Sequence, residues 1–228
     1  DRTYQISEVG NNQGQSMHFN HTSGATAHGV KSYAPMVEAA TRIRGYQEGA
    51  QCKFEDQSSL NATMILADSC FFDVFPQKML VGNAKQALSQ PMSCVVSSEW
   101  AEKVGGNVVG KRFTTPNSPG RTFVIGGVFE SFPWGSSFHG KDVIISLDST
   151  PSLFSFDGRD QWVGNDCYES YIRLAKGHKS DELKPFVEKM RKDNFPLKEM
   201  KKMGIELNYD FTVLSDVYTH NSYIKMMG

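Results

Sequence analysis

The sequence predicts an α+β fold. Three observations carry this prediction: segments that alternate apolar and polar residues occur along the whole chain, three short helical segments are interspersed among them, and the composition is that of a globular protein. Apolar residues make up 39% of the 228 positions and 20 further positions are glycine, which excludes the disordered, collagen-like and low-complexity classes. A chain of this length can bury a sizeable core without a disulfide or a metal.

The chain is expected to begin with a strand, a loop and a helix. Thr3–Val9 alternates with period two, which predicts a half-buried strand. Residues 10–24 are rich in Asn, Gln, Gly, Ser and His, which predicts a loop. Ser23 is the expected cap of a short helix that runs to Tyr33, because Pro35 pushes the residue before it out of the helical region.

Strands are expected to follow this helix. Residues 37–44 fit a helix by propensity, but the alternation of their apolar and charged side chains favours a strand. Two more strands are predicted over 50–56 and 60–68, with a polar turn between them. The aromatic segment Phe71–Phe75 comes next, and we expect its three phenylalanines to anchor the core.

The middle of the chain is predicted to be richer in short strands. Ser93–Val96 is a strand, and Ser97 or Ser98 then caps a helix over Glu99–Val104 that two glycines end. The strands expected after it are Lys111–Thr114, Thr122–Phe129 and Asp142–Leu147. The pair Gly126-Gly127 lies inside one of these strands and predicts a bulge or a close backbone approach.

The last third is predicted to contain a loop, two strands and one amphipathic helix. The loop covers 148–165 and the strand after it covers Cys167–Ala175. Ser180 caps the helix, and Pro185 fits only in its first turn. The apolar positions of this helix, spaced i, i+3, i+4 and i+7, are Leu183, Phe186, Val187 and Met190. A final strand is expected over Asn208–Tyr218.

The charge distribution argues against nucleic acid as a partner. The formal net charge is −1, whereas nucleic-acid binders usually carry a strong basic excess. Residues 173–203 hold ten Lys/Arg and five Asp/Glu, which predicts a solvated helix face; a surface for phosphate or lipid headgroups is the alternative. Apolar runs stop at about four residues, as in Met64–Ala67, so the sequence predicts no membrane span.

No arrangement of reactive residues predicts chemistry, so we expect no catalytic residue, no cofactor and no metal site. His18 and His21 are a close pair, but no accompanying motif turns them into a metal site. Ser222 and Lys225 fit S-x-x-K without its companion motifs. Buried thiols are favoured for the cysteines, with disulfides left open. These cysteines are Cys52, Cys70, Cys94 and Cys167.

Four stretches in order carry a resemblance to a known family. They are Asp1–Ile6; Phe71–Phe75 with Leu80 and Gly82; Val95–Ser98 with Ala101 and Val109–Lys111; and Phe123–Pro133. Together they resemble the MacB-like periplasmic core domain of ABC-transporter permeases that have FtsX-like membrane regions. Tyr171–Leu174 and Asp216–Tyr218 are similar to the closing strands of that family.

The resemblance implies a division into two subdomains. A porter-like βαβ subdomain would be formed by both chain ends, over residues 1–80 and 150–228. A smaller, strand-rich subdomain would be inserted between them, over residues 81–149. Both ends would connect to membrane helices that are absent from this chain.

The resemblance also implies a function. The chain would be a non-catalytic domain of a permease in the cell inner membrane, facing the periplasm. Its partners would be a cytoplasmic ATPase subunit, reached through membrane helices outside this chain, a periplasmic adaptor or cargo, and a second copy in a homodimeric transporter. The alternatives are a binding module for a lipid, peptide or small hydrophobic ligand, which a continuous apolar pocket would favour, and a hydrolase, which needs a serine–histidine contact.

The loop over residues 132–138 is the candidate surface for contact with a partner. It contains three aromatic residues, Phe132, Trp134 and Phe138. Exposed aromatic side chains are common anchors of interfaces. The alternative is that these three side chains cover the core of the inserted subdomain.

Overall fold

The computed structural model describes residues 2–217, and the predicted α+β class is confirmed. The strands are β1 Thr3–Asn12, β2 Gln15–Phe19, β3 Val37–Phe54, β4 Ser59–Ala67, β5 Met79–Gly82, β6 Ser93–Ser97, β7 Arg112–Thr114, β8 Phe123–Phe129, β9 Val143–Ser146, β10 Glu169–Leu174 and β11 Ile205–Val213. The helices are α1 Thr26–Tyr33, α2 Phe71–Val74, α3 Ala84–Ala87, α4 Ser98–Val104, α5 Thr150–Leu153, α6 Lys184–Asn194 and α7 Leu197–Lys202. Single 3₁₀ turns precede α5 and α6, at Leu147–Ser149 and Ser180–Leu183.

The chain divides into two units. Within the described residues, unit one contains residues 2–42 and 158–217, and unit two contains Ile43–Asp157. The expected boundaries, after residue 80 and before residue 150, differ from the observed ones. Residues 43–80 belong to unit two because the second half of β3 pairs with β4, and β4 in turn pairs with β9.

Unit one is built around β1. This strand pairs antiparallel with β10 near its start and with β11 over Tyr4–Asn12, while helix α1 packs against β10 and α6. The apolar positions predicted for α6 face this core: Leu183, Val187 and Met190 are buried and Phe186 is partly buried. Pro185 lies in the first turn of α6, as predicted.

The segment predicted as a loop over 10–24 contains a β-hairpin instead. β1 continues to Asn12 and turns into β2 through Gln13 and Gly14, which both have positive φ. A turn of this kind has the twist of the strands that it joins, and the Asn11 side chain accepts a hydrogen bond from the Gly14 N–H at 2.7 Å. The helix that follows begins at Thr26, so the prediction that Ser23 caps it was wrong.

Unit two contains a ring of strands. The pairings run from β3 to β4, β9, β6 and β8, and β7 pairs with both β8 and β3, so that the ring closes. β4–β9 and β6–β8 are parallel pairs, which only non-local connections can form. Fully buried aromatic side chains fill this unit, among them Trp100, Phe113 and Phe123.

The bulge predicted at the two glycines of β8 is confirmed. The register of β6 against β8 shifts by one residue at Gly126. Strand β5 adds to the other side of β8 at this point, where a Cβ on Gly127 would lie 2.9 Å from the Val81 carbonyl oxygen. Glycine is therefore required here by the close approach of neighbouring groups.

Several other predictions about elements need correction. The strand expected over 50–56 is the end of the single long strand β3, which two irregularities interrupt between Gly45 and Ala50. The loop expected over 148–165 holds part of a 3₁₀ turn and α5. The final strand ends at Val213, and residues 214–217 are helical; Tyr218 lies outside the described residues.

Candidate partner-contact site

The loop over 132–138 is anchored by two buried phenylalanines. Phe132 is 8% exposed and Phe138 is 6% exposed. Both pack into a cluster of rings that we call the phenylalanine cluster, which consists of Phe71, Phe75, Phe129, Phe132 and Phe138. The expectation that Phe132 and Phe138 are exposed for a partner therefore needs correction: these two residues cover the core.

Trp134, between them in the sequence, is 88% exposed. Its ring lies on the ring of His139, with centroids 4.2 Å apart. The Nδ1–H of His139 donates a hydrogen bond to the Phe132 carbonyl oxygen at 3.0 Å, which fixes the imidazole. Backbone hydrogen bonds from Ser136 to Pro133 and from His139 to Ser136 close two turns around the indole.

This geometry holds a large apolar side chain in a defined position on the surface. An indole loses few rotamers on binding and supplies both apolar area and one N–H donor, which makes it an effective interface anchor. Strand β5 offers further apolar surface in the same unit, because Leu80 is 46% exposed and Val81 is 52% exposed. The Lys78 carbonyl oxygen accepts a hydrogen bond from the Glu130 N–H, which ties the start of β5 to the start of the aromatic loop.

The cysteines form no disulfide within the described residues. Cys52 and Cys94 are fully buried in unit two. Burial raises the pKa of the Cys52 thiol to about 12 and also raises that of Cys94, so neither is a thiolate at neutral pH. Cys70 and Cys167 are partly buried.

The other residues that the sequence analysis weighed are not brought together. His18 and His21 are both exposed, and Ser222 and Lys225 lie outside the described residues. The contact that a hydrolase would need is not seen at His139 or His178, because His139 bonds a carbonyl oxygen and His178 bonds the Glu182 carboxylate.

A surface groove in unit one runs between α6 and β11, and its lining is mixed. The polar and charged residues along it outnumber the apolar ones, so it is not the continuous apolar pocket that a binding module for hydrophobic ligands would have. The lining residues are Ser180, Asp181, Lys184, Val187, Glu188, Asn208, Tyr209, Asp210 and Phe211.

Sequence reasoning missed one unusual residue in unit one. Glu8 is 1% exposed and sits on β1, two positions after the core residue Ile6. It contacts Ser23, whose hydroxyl also reaches Asp166. The signal was present in the sequence, because the alternation Tyr4, Ile6, Glu8 places a carboxylate on the face that the apolar residues occupy.

None of the helices within residues 2–217 has the length and apolar content needed to cross a bilayer. A model of the MacB-like periplasmic core domain matches residues 1–189. No curated protein matches the chain.

Solved structures resemble the chain over nearly its whole length. A domain assigned to a permease protein of Porphyromonas gingivalis is 30% identical, with a TM-score of 0.82, and the match covers 93% of this chain and 89% of that one. The periplasmic region of MacB from Actinobacillus actinomycetemcomitans is 13% identical, with a TM-score of 0.62 and coverages of 97% and 92%.

The extracellular domain of YknZ, a noncanonical ABC-type transporter of Gram-positive bacteria, is also 13% identical, with a TM-score of 0.58 and coverages of 92% and 100%. These two more distant likenesses concern the fold. The match of the family model to residues 1–189 and the 30% identity to the permease domain together establish the conclusion: the chain belongs to the MacB-like periplasmic core domain family.

Proposed function

We propose that this chain is the extracytoplasmic domain of an ABC transporter permease in the inner membrane, and that it has a coupling rather than a catalytic role. ATP hydrolysis in a cytoplasmic ATPase subunit would be transmitted through membrane helices outside this chain. The domain would then move a periplasmic adaptor or cargo. The observation that carries the proposal is the family match over residues 1–189, supported by the 30% identity to a permease domain.

A coupling domain needs a surface that transmits force to its partner, and unit two supports such a surface. Trp134 projects from a loop whose ends are anchored by Phe132 and Phe138. The ring centroids of Phe138 and Phe75 are 4.6 Å apart, so the loop is fixed to the segment after α2 as well as to β8. Movement of the packed unit would therefore carry the indole with it rather than deform the loop.

The experiment is a comparison of two variants in the full-length permease, assembled with its ATPase in lipid nanodiscs. Trp134→Ala removes the proposed anchor. Phe156→Ala is the matched control, because Phe156 is also an aromatic residue of unit two and is 53% exposed. ATP hydrolysis is measured with and without a periplasmic extract.

We expect the extract to stimulate hydrolysis in the native complex and in Phe156→Ala. In Trp134→Ala, stimulation should require at least about fivefold more extract, since loss of an interface anchor costs about 1 kcal/mol or more. Basal hydrolysis should be the same in all three complexes. Equal stimulation of Trp134→Ala and the native complex would remove Trp134 from the proposal, and stimulation in none of them would remove the coupling role.

A further inference from the structure

Glu8 occupies a position where a charge is costly. It lies in the middle of β1, with Tyr209 of β11 directly opposite in the register and Phe19 of β2 on the other side. The side chain is 1% exposed. A buried carboxyl group is stable when it is either paired with a cation or protonated.

The hydrogen bonds to Glu8 come from a single residue, Ser23. The Ser23 N–H donates a hydrogen bond to Glu8 Oε1 at 2.8 Å, and Ser23 Oγ lies 3.4 Å from the same oxygen. Ser23 Oγ also lies 2.8 Å from Asp166 Oδ1. The bonds from Ser23 favour the ionised carboxylate, so it is burial that favours the protonated state of Glu8.

The charges around Glu8 work in the same direction. Within the part of the chain that the structure describes, Asp166 is the charged side chain that acts on Glu8, and its negative charge disfavours a second one. Tyr209 of β11 lies opposite Glu8, and its hydroxyl group is hydrogen-bonded to Thr26 Oγ1 at 3.2 Å. The charge of Arg191, on α6, acts electrostatically on Tyr209. Burial is the largest of the causes that raise the pKa of Glu8 to about 7, and the charge of Asp166 adds to it. Two hydrogen bonds from Ser23 act in the opposite direction and lower the pKa.

Two chain segments meet at this carboxyl group. Thr22 pairs with Tyr168 through backbone hydrogen bonds of 2.8 and 3.3 Å, and the Ala25 N–H donates to the Gln161 carbonyl oxygen at 2.9 Å. The hydroxyl groups of Thr22 and Ser170 are 2.7 Å apart. The segment 22–25 and the segment 161–168 are thus joined to each other, and Ser23 joins both to β1 through Glu8.

We propose that unit one is a pH-responsive module in which Glu8 binds a proton, and that loss of this proton to solvent loosens the segments 22–25 and 161–168 from β1. In the protonated state the buried position of Glu8 holds no charge, and the Ser23 hydroxyl donates to Asp166 at 2.8 Å. In the ionised state a charge lies in the buried position of Glu8, close to the exposed carboxylate of Asp166. Movement of the segments that hold Ser23 and Asp166 away from the strand admits water to the Glu8 carboxylate and so relieves the cost of its burial.

The sign of the pH dependence follows from the direction of the shift. An unfolded glutamate ionises near 4.5, whereas the folded domain holds the proton to about 7. The contribution of Glu8 to stability is therefore fully present below pH 4.5 and is lost as the pH rises to 7. Well above pH 7 both states are ionised, and the contribution no longer changes.

The direct test is a ¹³C NMR titration of the 228-residue chain labelled at the glutamate side-chain carboxyl carbons, with Glu8 assigned by triple-resonance spectra of the native protein. We expect its midpoint near pH 7 and a lower midpoint in Asp166→Asn, where the neighbouring charge is gone. A Glu8 midpoint near 4.5 overturns the proposal, and this measurement needs no variant of Glu8.

Hydrogen exchange then tests the conformational part. Between pH 6 and 8, protection of the Thr22, Ser23 and Ala25 amides, corrected for intrinsic rates, should fall at least about fivefold in the native chain. Glu8→Gln keeps the acceptor for the Ser23 N–H and cannot ionise, so its protection should stay constant. Glu206→Gln removes an exposed carboxylate from β11 and should behave like the native chain. The same loss of protection in Glu8→Gln, or none in the native chain, contradicts the proposal.

Discussion

Gly126 shows, at the scale of single residues, how tightly unit two is packed. A Cβ at this position would lie 2.7 Å from the Ala87 Cβ and 3.2 Å from Ser93 Oγ. Real Cβ atoms do not approach other carbons so closely, so α3 would have to shift away from β8. The residue therefore sets the distance between this helix and the strand beneath it.

We predict that Gly126→Ala destabilises unit two by about 1–3 kcal/mol, because overpacking in a filled core costs about that much. Gly45→Ala is the matched control: Gly45 also lies within a strand of unit two, but a Cβ there would meet nothing within 4 Å. Urea unfolding of both variants measures the difference. Equal stabilities of the two variants would contradict the packing described for β8.

Glu8 illustrates what a sequence can and cannot indicate about a single residue. The alternation with Tyr4 and Ile6 places Glu8 on the buried face of β1, and this much follows from the period of a strand. Its partners do not follow, because Ser23 is 15 positions away and Asp166 lies a further 143 positions along the chain. A carboxylate on an apolar face indicates an unusual site, but only the fold shows what surrounds it.

At the scale of elements, α4 is the helix whose ends are most clearly determined by local chemistry. The Ser97 side chain accepts a hydrogen bond from the Trp100 N–H, and Gly105 ends the helix in the left-handed region with φ of 115°. The expected helix over Glu99–Val104 with Ser97 as one of two candidate caps is confirmed. Both signals are contained within a few residues, which is why the sequence could reveal them.

We predict that Ser97→Ala destabilises unit two by about 1 kcal/mol, the usual cost of losing an N-terminal cap. Ser97→Thr keeps an oxygen at the same place and should recover most of that loss. Urea midpoints and amide protection over residues 98–101 provide the measurement. An alanine variant as stable as the native chain would mean that the cap contributes nothing in this packed setting.

Other elements had weaker local signals. The β1–β2 hairpin turns through Gln13-Gly14, which is not one of the dipeptides typical of such turns, so its polar surroundings predicted a loop. Helix α7 has six residues and follows α6 after only two, which leaves little periodicity to detect. Strand β3 was predicted as two strands because its irregularities between Gly45 and Ala50 break the alternation of side chains.

At the scale of the whole molecule, pairings between distant segments decide the architecture. The ring of unit two depends on β4 pairing with β9 and β6 pairing with β8, in both cases across other elements. No periodicity in one segment specifies its partner, so the α+β class was predictable while the boundaries between the two units were not. The resemblance to the family rested on four ordered motifs, and the match over residues 1–189 confirms it.

The proposed contact site shows the same limit. The sequence indicated an aromatic loop, but it could not separate the two phenylalanines that enter the core from the tryptophan that does not. That distinction depends on Phe71 and Phe75, which lie about sixty positions earlier and complete the phenylalanine cluster. Trp134 is therefore the one residue of the three that is exposed for contact with a partner.

The central claim is that this domain moves a partner in response to nucleotide turnover at the ATPase. It is tested most directly by placing the photo-crosslinker p-benzoylphenylalanine at position 134 of the full-length permease, assembled with an ATPase that binds but cannot hydrolyse ATP. We predict that the yield of crosslinked partner differs at least about twofold between the ATP-bound and nucleotide-free states, because coupling requires a shift between two populated states. Identical yields in the two states would contradict the account.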